Sequence, residues 1–355
     1  MKEPAYYKEI GYEDHGYVSP ELSSSNTYPD YIKQEVTECI KEIQAHQNED
    51  TITFAFMTDI HYALSYNHEV RMKRTVNAYK ELAKRVHIDK LILGGDYTNE
   101  GCREHKSDCF RELRALLDGI DYYPVNGNHD DGTIWDSKYI LNDISENHLA
   151  HTDLYNLFYN HIPYIGAKVN SKDTLYYYVD DDVKKIRYIC LDSNDEPYIY
   201  ENGRLLYSGQ SEFILSQKQV DWLVDDALKV KSDDWCVAIF THSVALPNEK
   251  REVCLEAFRR LRFLNGLIDA YKNADRYTYT SDEKHFENTV DVDFSEYPRA
   301  EVIGFFVGDY HTDLIDRSAS GTPYILTGNA VMYCTNSPTY QQRHDVINRN
   351  YFLML

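Results

Sequence analysis

The chain is poor in positive charge. Its 37 lysines and arginines are outnumbered by 58 aspartates and glutamates, so the formal net charge is −21 over 355 residues. No long run of lysine and arginine stands out from this acidic background. Because nucleic-acid binding depends on clustered cations that displace counterions from phosphates, the sequence disfavours a nucleic-acid partner.

Cysteine motifs and long apolar segments are also missing. The seven cysteines are odd in number and scattered without CxxC spacing, which predicts reduced thiols in a cytoplasmic protein. No segment approaches the roughly 18 consecutive apolar residues of a membrane-spanning helix. The first residues, MKEPAYYKEIGYEDHG, lack the basic start and apolar stretch of a signal peptide. We therefore expect a soluble protein without a membrane partner, and we make no prediction of its oligomeric state.

The composition is that of a folded chain. Hydrophobic residues make up 43% of the sequence and aromatic residues 14%, which is enough for a large core. The 32 tyrosines fit ordinary amphipathic packing. At this length an α/β architecture can form one domain with insertions. We predict an N-terminal extension and helix over 1–50, then one domain over 51–355 with insertions near 131–172 and 275–298.

Strand-like apolar runs alternate with segments of helical period. Strands are predicted at 51–58, 89–94 and 120–126, and helices at 67–86 and 105–118 lie between them. This βαβαβ order predicts a parallel sheet with right-handed crossovers. Further predicted elements are a helix at 30–47, strands at 174–180, 185–193 and 235–243, helices at 216–230 and 249–273, and a surface loop over the acidic segment 275–298.

Polar clusters follow five of the apolar runs. They are Asp59-Ile60-His61, Gly95-Asp96-Tyr97-Thr98-Asn99, Gly127-Asn128-His129-Asp130, His242, and Gly308-Asp309-Tyr310-His311. In open α/β folds the ligand site lies outside the carboxyl ends of the strands. Five such clusters delivered to one edge of a sheet therefore predict a metal centre.

The residue types narrow the kind of metal. Aspartate, histidine and asparagine together suit divalent Mn, Fe, Zn or Ni, and the lack of cysteine in any cluster disfavours a structural zinc site. Two metal ions about 3.5–4 Å apart need a shared anionic ligand, and Asp96, which follows a Gly-Gly pair, is the candidate. Each cluster alone has a plainer interpretation, since Asp-x-His can cap a helix and His242 can be an ordinary strand-end residue. Their ordered combination is what indicates a site.

This ordered set resembles the motifs of the calcineurin-like metallophosphoesterase superfamily and spans residues 59 to 311. The segment LSQKQVDWLVDDAL, followed by a strand and His242, is also similar to the purple acid phosphatase and cyclic-nucleotide phosphodiesterase branches. The resemblance implies a four-layer α/β/β/α sandwich with a dinuclear metal site on strand-end loops. It further implies an enzyme that hydrolyses a phosphomonoester or phosphodiester of a small molecule through a metal-bridging hydroxide.

The resemblance also implies roles for single positions. Asp59, His61 and His311 match ligands of the first metal, and Asp96 matches the bridging carboxylate. The second metal is matched by Asn128 and His242. The histidine that lies over the phosphate and protonates the leaving oxygen is matched by His129.

Three positions depart from the family pattern: Asp309, Asn99 and Glu100, of which Glu100 stands where protein phosphatases have a phosphate-clamping arginine. Asp309 stands where the last motif, G-H-x-H, has its first histidine, and we hypothesise that it is a ligand of the second metal that favours Mn or Fe over Zn. A weakened or empty second metal site is the competing interpretation. Asn99 stands where relatives carry aspartate or an iron-binding tyrosine; it can accept a hydrogen bond from His129, but it cannot stabilise an imidazolium as a carboxylate would.

Two alternative functions stay open at this stage. One is a DNA nuclease of the same superfamily, which the acidity of the chain disfavours. The other is a catalytically weakened scaffold that binds a protein. The enzyme is favoured by the joint retention of Asp59, His61, Asp96, Asn128, His129, His242 and His311.

Overall fold

The computed structural model describes residues 30–62, 68–99, 103–136, 148–328 and 353–354. The predicted extension over 1–29 lies outside these residues. The same is true of the middle of the predicted insertion at 131–172. The predicted division into 1–50 and 51–355 stays a prediction.

The first half of the fold is a parallel sheet with crossover helices. Its elements are α1 (Asp30–His46), β1 (Phe54–Met57), α2 (His68–Ala83), β2 (Lys90–Leu93), α3 (Arg103–Leu116) and β3 (Tyr122–Pro124). β2 pairs in parallel with β1 on one side and with β3 on the other. A short strand at Leu353–Met354 adds antiparallel to β1. The predicted βαβαβ alternation is confirmed.

The second half is built around a seven-stranded mixed sheet. The elements are α4 (His151–Leu154), β4 (Ala167–Val169), β5 (Tyr177–Asp181), β6 (Ile186–Cys190), β7 (Tyr200–Glu201), β8 (Arg204–Leu205), α5 (Gln217–Trp222), β9 (Cys236–Thr241), α6 (Glu252–Ala257), α7 (Phe263–Asn273), β10 (Arg276–Ser281), β11 (Asn288–Asp293), β12 (Glu301–Val307), β13 (Leu314–Arg317) and β14 (Pro323–Leu326). The strand order is β13-β14-β12-β9-β6-β5-β4. β6, β9, β12 and β14 run parallel, whereas β4, β5 and β13 pair antiparallel.

The two sheets pack face to face through aromatic rings. Phe54 of β1 meets Phe240 of β9 and Phe306 of β12 edge to face, with ring centroids 5.4 Å and 4.9 Å apart. Edge-to-face contacts of this kind add about 0.5–1.5 kcal/mol each beyond the burial of their area. This seam of rings fixes how the carboxyl edges of the two sheets lie relative to each other.

Helices cover both outer faces of the sheets. On the first sheet, Met72 and Val76 of α2 and Phe110 and Leu113 of α3 join the same apolar cluster as β1 and β2. On the second sheet, α5 and α7 pack against β9 and β12 through a separate apolar cluster. The layers therefore follow the order α/β/β/α, which confirms the predicted sandwich.

Three predicted elements differ from the structure. The predicted helix at 216–230 is α5 followed by a π-helical turn at Leu223–Ala227, and the one at 249–273 is broken at Arg259–Leu261 by a 3-10 turn between α6 and α7. The predicted loop at 275–298 is wrong, because β10 and β11 form an antiparallel hairpin there. Its inward positions in β11 are Asn288, Val290 and Val292, alternating with exposed residues. A strand period of two is present, but acids and threonines dominate it.

None of the helices within the described ranges is both long and apolar enough to cross a membrane.

Candidate metal centre

All seven predicted metal ligands lie just beyond the carboxyl ends of parallel strands. Asp59 and His61 follow β1, Asp96 follows β2, Asn128 follows β3, His242 follows β9, and Asp309 and His311 follow β12. The loops are held to one another by main-chain hydrogen bonds: the His61 N–H donates to the Asp96 carbonyl at 2.8 Å, and the Gly308 N–H donates to the His242 carbonyl at 3.0 Å. The structure thus brings the two sheets together at one candidate site.

A first group of donor atoms comes from Asp59, His61, Asp96 and His311. One ligand atom from each lies within 4.8 Å of all the others. His311 Nε2 is 2.9 Å from Asp59 Oδ1 and 3.0 Å from His61 Nε2. His61 Nε2 is 3.4 Å from Asp96 Oδ2. Two carboxylates and two imidazoles converging in this way form a set that suits a divalent transition metal.

A second group surrounds His242. Its Nε2 is 3.2 Å from Asp96 Oδ1 and 3.0 Å from Asn128 Oδ1. Its Nδ1 is 2.8 Å from the Gly94 carbonyl, which can only accept, so Nδ1 carries a proton and donates it. A metal ion at this point would take the place of a proton on Nε2, so that the neutral ring, the Asp96 carboxylate and the Asn128 amide oxygen could all coordinate it. This second donor set therefore fits a second metal ion.

Strained backbone aims these side chains inward. The φ angles of Asp59, His61, Asp96, Asp309 and His311 are 56°, 46°, 52°, 59° and 48°. This left-handed region is uncommon for residues other than glycine, and it costs about 1–3 kcal/mol where it does occur. Five such residues in a single site indicate a geometry selected for function.

A close approach of two loops depends on Gly127. A Cβ at this position would lie 2.0 Å from the Asp96 backbone nitrogen and 2.4 Å from Asp96 Oδ1. Because glycine has no Cβ, the loop after β3 can approach the loop after β2 this closely, and no larger residue would fit at this position. The His129 N–H then donates to Asp96 Oδ1 at 2.9 Å, which orients the central carboxylate.

The potential of the site is negative. Burial lowers the pKa of His242, but the carboxylates of Asp96, Asp59 and Asp309 together outweigh burial and raise the pKa well above its usual range. His61 behaves in the opposite way, because burial lowers its pKa and the attraction of Asp96 only partly compensates. A field that stabilises a positive imidazole also attracts a metal cation. Both observations fit residues that hold divalent metal ions.

Asp309 contacts the loops that follow β1 and β9. Its N–H is 3.2 Å from both oxygens of Asp59, and Ser243 Oγ donates to Asp309 Oδ2 at 3.2 Å. Burial, together with the carboxylates of Asp96 and Asp59, raises the pKa of Asp309 to about 6 against the attraction of His242. Asp309, which departs from the family motif, therefore interacts electrostatically with residues of both donor groups.

A buried lysine that the sequence analysis did not identify links the backbones of the two predicted catalytic residues, His129 and Asn99. The ring centroid of His129 lies 5.0 Å from that of His61, and Asn99 is buried. Lys106 of α3, also buried, donates to the Asn99 carbonyl at 2.6 Å and to the His129 carbonyl. The predicted hydrogen bond between the two side chains stays a prediction.

Asp130 is a second residue that supports the site without having been singled out. Its Oδ1 accepts from the N–H groups of Tyr97 and Thr98 at 2.8 and 3.0 Å, and its Oδ2 accepts from the Gly127 N–H at 3.0 Å. It therefore fastens the loop after β3 to the loop after β2. The position of Asp130 in the Gly-Asn-His-Asp cluster could have identified it from sequence. No sequence pattern could have identified Lys106, because it lies on a helix outside every motif.

The fold and the donor set define a metal-dependent hydrolase. The chain belongs to the calcineurin-like phosphoesterase family, whose family model matches residues 52–271. It is therefore a hydrolase that acts on phosphoric ester bonds, in a family that uses dinuclear divalent metal sites. This membership confirms the resemblance drawn from the strand-end motifs. The likeness to the purple acid phosphatase and phosphodiesterase branches stays a prediction.

Comparison with solved structures gives matches of low sequence identity. A dimetal phosphatase from Danio rerio is 16% identical, with 78% of this chain and 87% of that chain covered and a TM-score of 0.52. A 5'-nucleotidase precursor from Thermus thermophilus is 14% identical, with 78% and 48% covered and a TM-score of 0.35. No curated protein matches the chain by sequence. The similarity to the Danio rerio structure shows a shared fold.

Proposed function

We propose that the protein hydrolyses a phosphomonoester or phosphodiester of a small molecule with the help of two divalent metal ions. The observation that carries this proposal is the position of Asp96, whose two oxygens face two different donor groups. One ion would be held by Asp59, His61, His311 and Asp96. The other would be held by Asp96, Asn128, His242 and Asp309.

The bound ions would supply an activated water and would neutralise the phosphoryl oxygens of the substrate. The chain's own residues complete the chemistry. His129 protonates the leaving oxygen, because its ring lies beside His61 while its backbone is fixed to Asp96 Oδ1. Asn99 orients His129, and Lys106 holds the carbonyls of both residues in place.

The ligand types favour Mn or Fe over Zn at the second position. Asp309 replaces an imidazole by a carboxylate, which is a harder and more negative ligand. Its hydrogen bond from Ser243 leaves one carboxylate oxygen for coordination. Orientation of a ligand by a neighbouring hydroxyl is a common feature of metal sites.

The substrate is proposed to be small because of the charge of the chain. A net charge of −21 repels long polyanions such as DNA, whereas the local field of two metal ions still attracts a single phosphate group. A cytoplasmic location is part of the same proposal, and it is supported by free thiols at Cys109 and Cys190, which suit a reducing compartment.

The test is turnover of para-nitrophenyl phosphate and its bis ester by the full-length protein, first stripped with a chelator and then supplied with Mn²⁺. We expect activity that depends on added metal and that is inhibited competitively by inorganic phosphate. Linear and single-stranded DNA serve as comparison substrates and should be cleaved far more slowly. Failure to hydrolyse either small ester with Mn²⁺, Fe²⁺ or Zn²⁺ would contradict the proposal.

A further inference from the structure

A second cluster of polar residues, most of them buried, lies beside the metal centre. It consists of His151 at the start of α4, Asp192 and Asp195 after β6, and the neighbouring carboxylates of Asp131 and Glu196. One ligand atom from each of His151, Asp192 and Asp195 lies within 4.8 Å of the other two. None of these five residues belongs to the dinuclear donor set.

Each of the two aspartates near His151 has one oxygen fixed by hydrogen bonds. Asp192 Oδ1 accepts from Asn126 Nδ2 and from the Asn194 N–H, both at 3.0 Å. Asp195 Oδ2 accepts from Gln219 Nε2 at 3.0 Å and from Ser216 Oγ at 2.5 Å. Neighbouring groups that hold one oxygen of a carboxylate and leave the other free to coordinate are typical of metal sites.

The other oxygen of Asp192 faces the imidazole at a distance too long for a hydrogen bond. Asp192 Oδ2 is 3.7 Å from His151 Nε2, and one ligand atom of Asp195 lies within 4.8 Å of a ligand atom of each of these two residues. Hydrogen bonds to oxygen span about 2.7–3.2 Å. Two ligands that each lie about 2.1–2.4 Å from one ion are roughly 3–4 Å apart. The spacing of Asp192 Oδ2 and His151 Nε2 is therefore that of two ligands of one ion.

Several of these atoms are buried without a hydrogen-bond partner among the residues that the structure describes. They are His151 Nε2, Asp192 Oδ2, Asp131 Oδ2 and both carboxylate oxygens of Glu196. The four residues are 7%, 0%, 2% and 4% exposed, so water does not solvate them as it would at the surface. Uncompensated buried charges cost several kcal/mol each. A divalent cation would offset that cost.

We propose that His151, Asp192 and Asp195 hold a third divalent metal ion, with Asp131 and Glu196 adding negative charge around it. Imidazole in the donor set favours Mn, Fe or Zn over Ca or Mg. The ion serves as a structural clamp. Asn126, which donates to Asp192, and Asp131, whose carbonyl accepts from the Leu149 N–H at 2.7 Å, stand at the two ends of the loop that carries Asn128 and His129.

The test counts metal rather than activity, so it is independent of the proposed function. Full-length protein is stripped with a chelator, reloaded with Mn²⁺ and separated from free metal by gel filtration. We expect the Asp192→Asn variant to retain one Mn²⁺ per chain fewer than wild type and to lose part of the rise in Tm that Mn²⁺ produces. Glu201→Gln, at an exposed carboxylate on β7, should match wild type. Equal metal content in Asp192→Asn and wild type would overturn the proposal.

A second measurement covers the case in which Asp192→Asn does not fold. Crystals of the Mn²⁺-loaded wild-type protein are examined by anomalous scattering at the manganese edge. A peak beside His151 Nε2, separate from the peaks between Asp59 and His242, supports the proposal. Peaks at the dinuclear centre with none beside His151 would show that His151 pairs with the carboxylates as an imidazolium, and would sink the idea of a third ion.

Discussion

Asp96 faces His61 with one carboxylate oxygen and His242 with the other, at 3.4 Å and 3.2 Å. Each histidine belongs to a different sheet, since His61 follows β1 and His242 follows β9. A single side chain thus joins the two halves of the sandwich at its functional edge. The position is possible because Gly127 leaves room for the Asp96 backbone.

Replacement of Asp96 by asparagine should therefore disable both metal positions together. The amide keeps the shape but removes the negative charge that two cations would share, so we expect kcat/KM to fall at least about 100-fold and bound metal to fall below two equivalents. Steady-state kinetics and elemental analysis measure the two effects. Asp225→Asn, at an exposed aspartate, is the control and should change neither. Near-normal turnover by Asp96→Asn would rule out a bridging role.

His129→Gln should slow turnover most for esters with poor leaving groups. If His129 protonates the leaving oxygen, its loss costs about 100- to 10,000-fold on an alkyl phosphate. The cost should be much smaller on para-nitrophenyl phosphate, whose leaving group needs no proton. The slope of log kcat/KM against leaving-group pKa reports this difference. The exposed His87 provides the control variant His87→Gln, and an unchanged slope in His129→Gln would remove the assigned role.

Asp309→His tests the acidic departure from the family motif. The substitution places a softer, neutral ligand where the carboxylate lies, so we expect the order of activating metals to move from Mn²⁺ towards Zn²⁺. Activity with each metal, compared at equal metal content, measures the shift. Ser243→Ala removes the hydroxyl that donates to Asp309 and should weaken metal binding without changing the order. An unaltered metal preference in Asp309→His would place Asp309 outside the second metal site.

Much of this site follows from sequence because each ligand is adjacent in the chain to the strand that delivers it. Asp59, Asn128 and His242 lie within a few residues of a buried strand. Parallel pairing of the strands then brings their carboxyl ends, and these residues, to one edge of the fold. Lys106 and the cluster around His151 do not have that property. The residues that surround Lys106 and His151 are distant in sequence and come together only when α3, α4 and the segment after β6 pack against the rest of the fold. No local sequence pattern therefore predicts them.

The hairpin of β10 and β11 shows a different limit. Its alternation is real, but the buried positions include Asn288, which donates to the Leu215 carbonyl, and the exposed ones are charged residues and threonines. A period of two built on so few apolar residues is hard to distinguish from a polar loop. Only pairing of the two strands and their contact with α5 and α7 decides the structure.

Asp130→Asn should destabilise the loops rather than the chemistry directly. Asparagine has one acceptor oxygen, and an amide NH₂ takes the place of the second carboxylate oxygen. Either the N–H groups of Tyr97 and Thr98 or the N–H of Gly127 therefore lose their acceptor. A buried donor left unsatisfied costs about 1–3 kcal/mol. Urea unfolding measures this loss, and Asp118→Asn at an exposed site should stay within about 0.5 kcal/mol of wild type. No change in Asp130→Asn would show that other groups hold these loops.

Arg187 is expected to be one of the strongest single contributors to stability away from the site. It is buried on β6, forms a bidentate pair with Asp180 at 2.7 and 3.0 Å, and donates to the carbonyls of Asp226, Ala227 and Lys229 at the end of the π-helical turn. Arg187→Met leaves a partly buried carboxylate and three carbonyls without these donors. We expect a loss of about 3–5 kcal/mol in the free energy of unfolding.

Lys231→Met is the matched control for that experiment, because Lys231 is half exposed and pairs with the same Asp180 at 3.3 Å. Solvent screens a pair with an exposed lysine, so its contribution to stability is small. The two variants therefore separate burial from charge. Both are measured by urea unfolding of the metal-free protein, which keeps metal binding out of the comparison. A loss below about 1 kcal/mol in Arg187→Met would mean that Lys231 and water compensate Asp180, and that the buried guanidinium adds little to the stability of the second sheet.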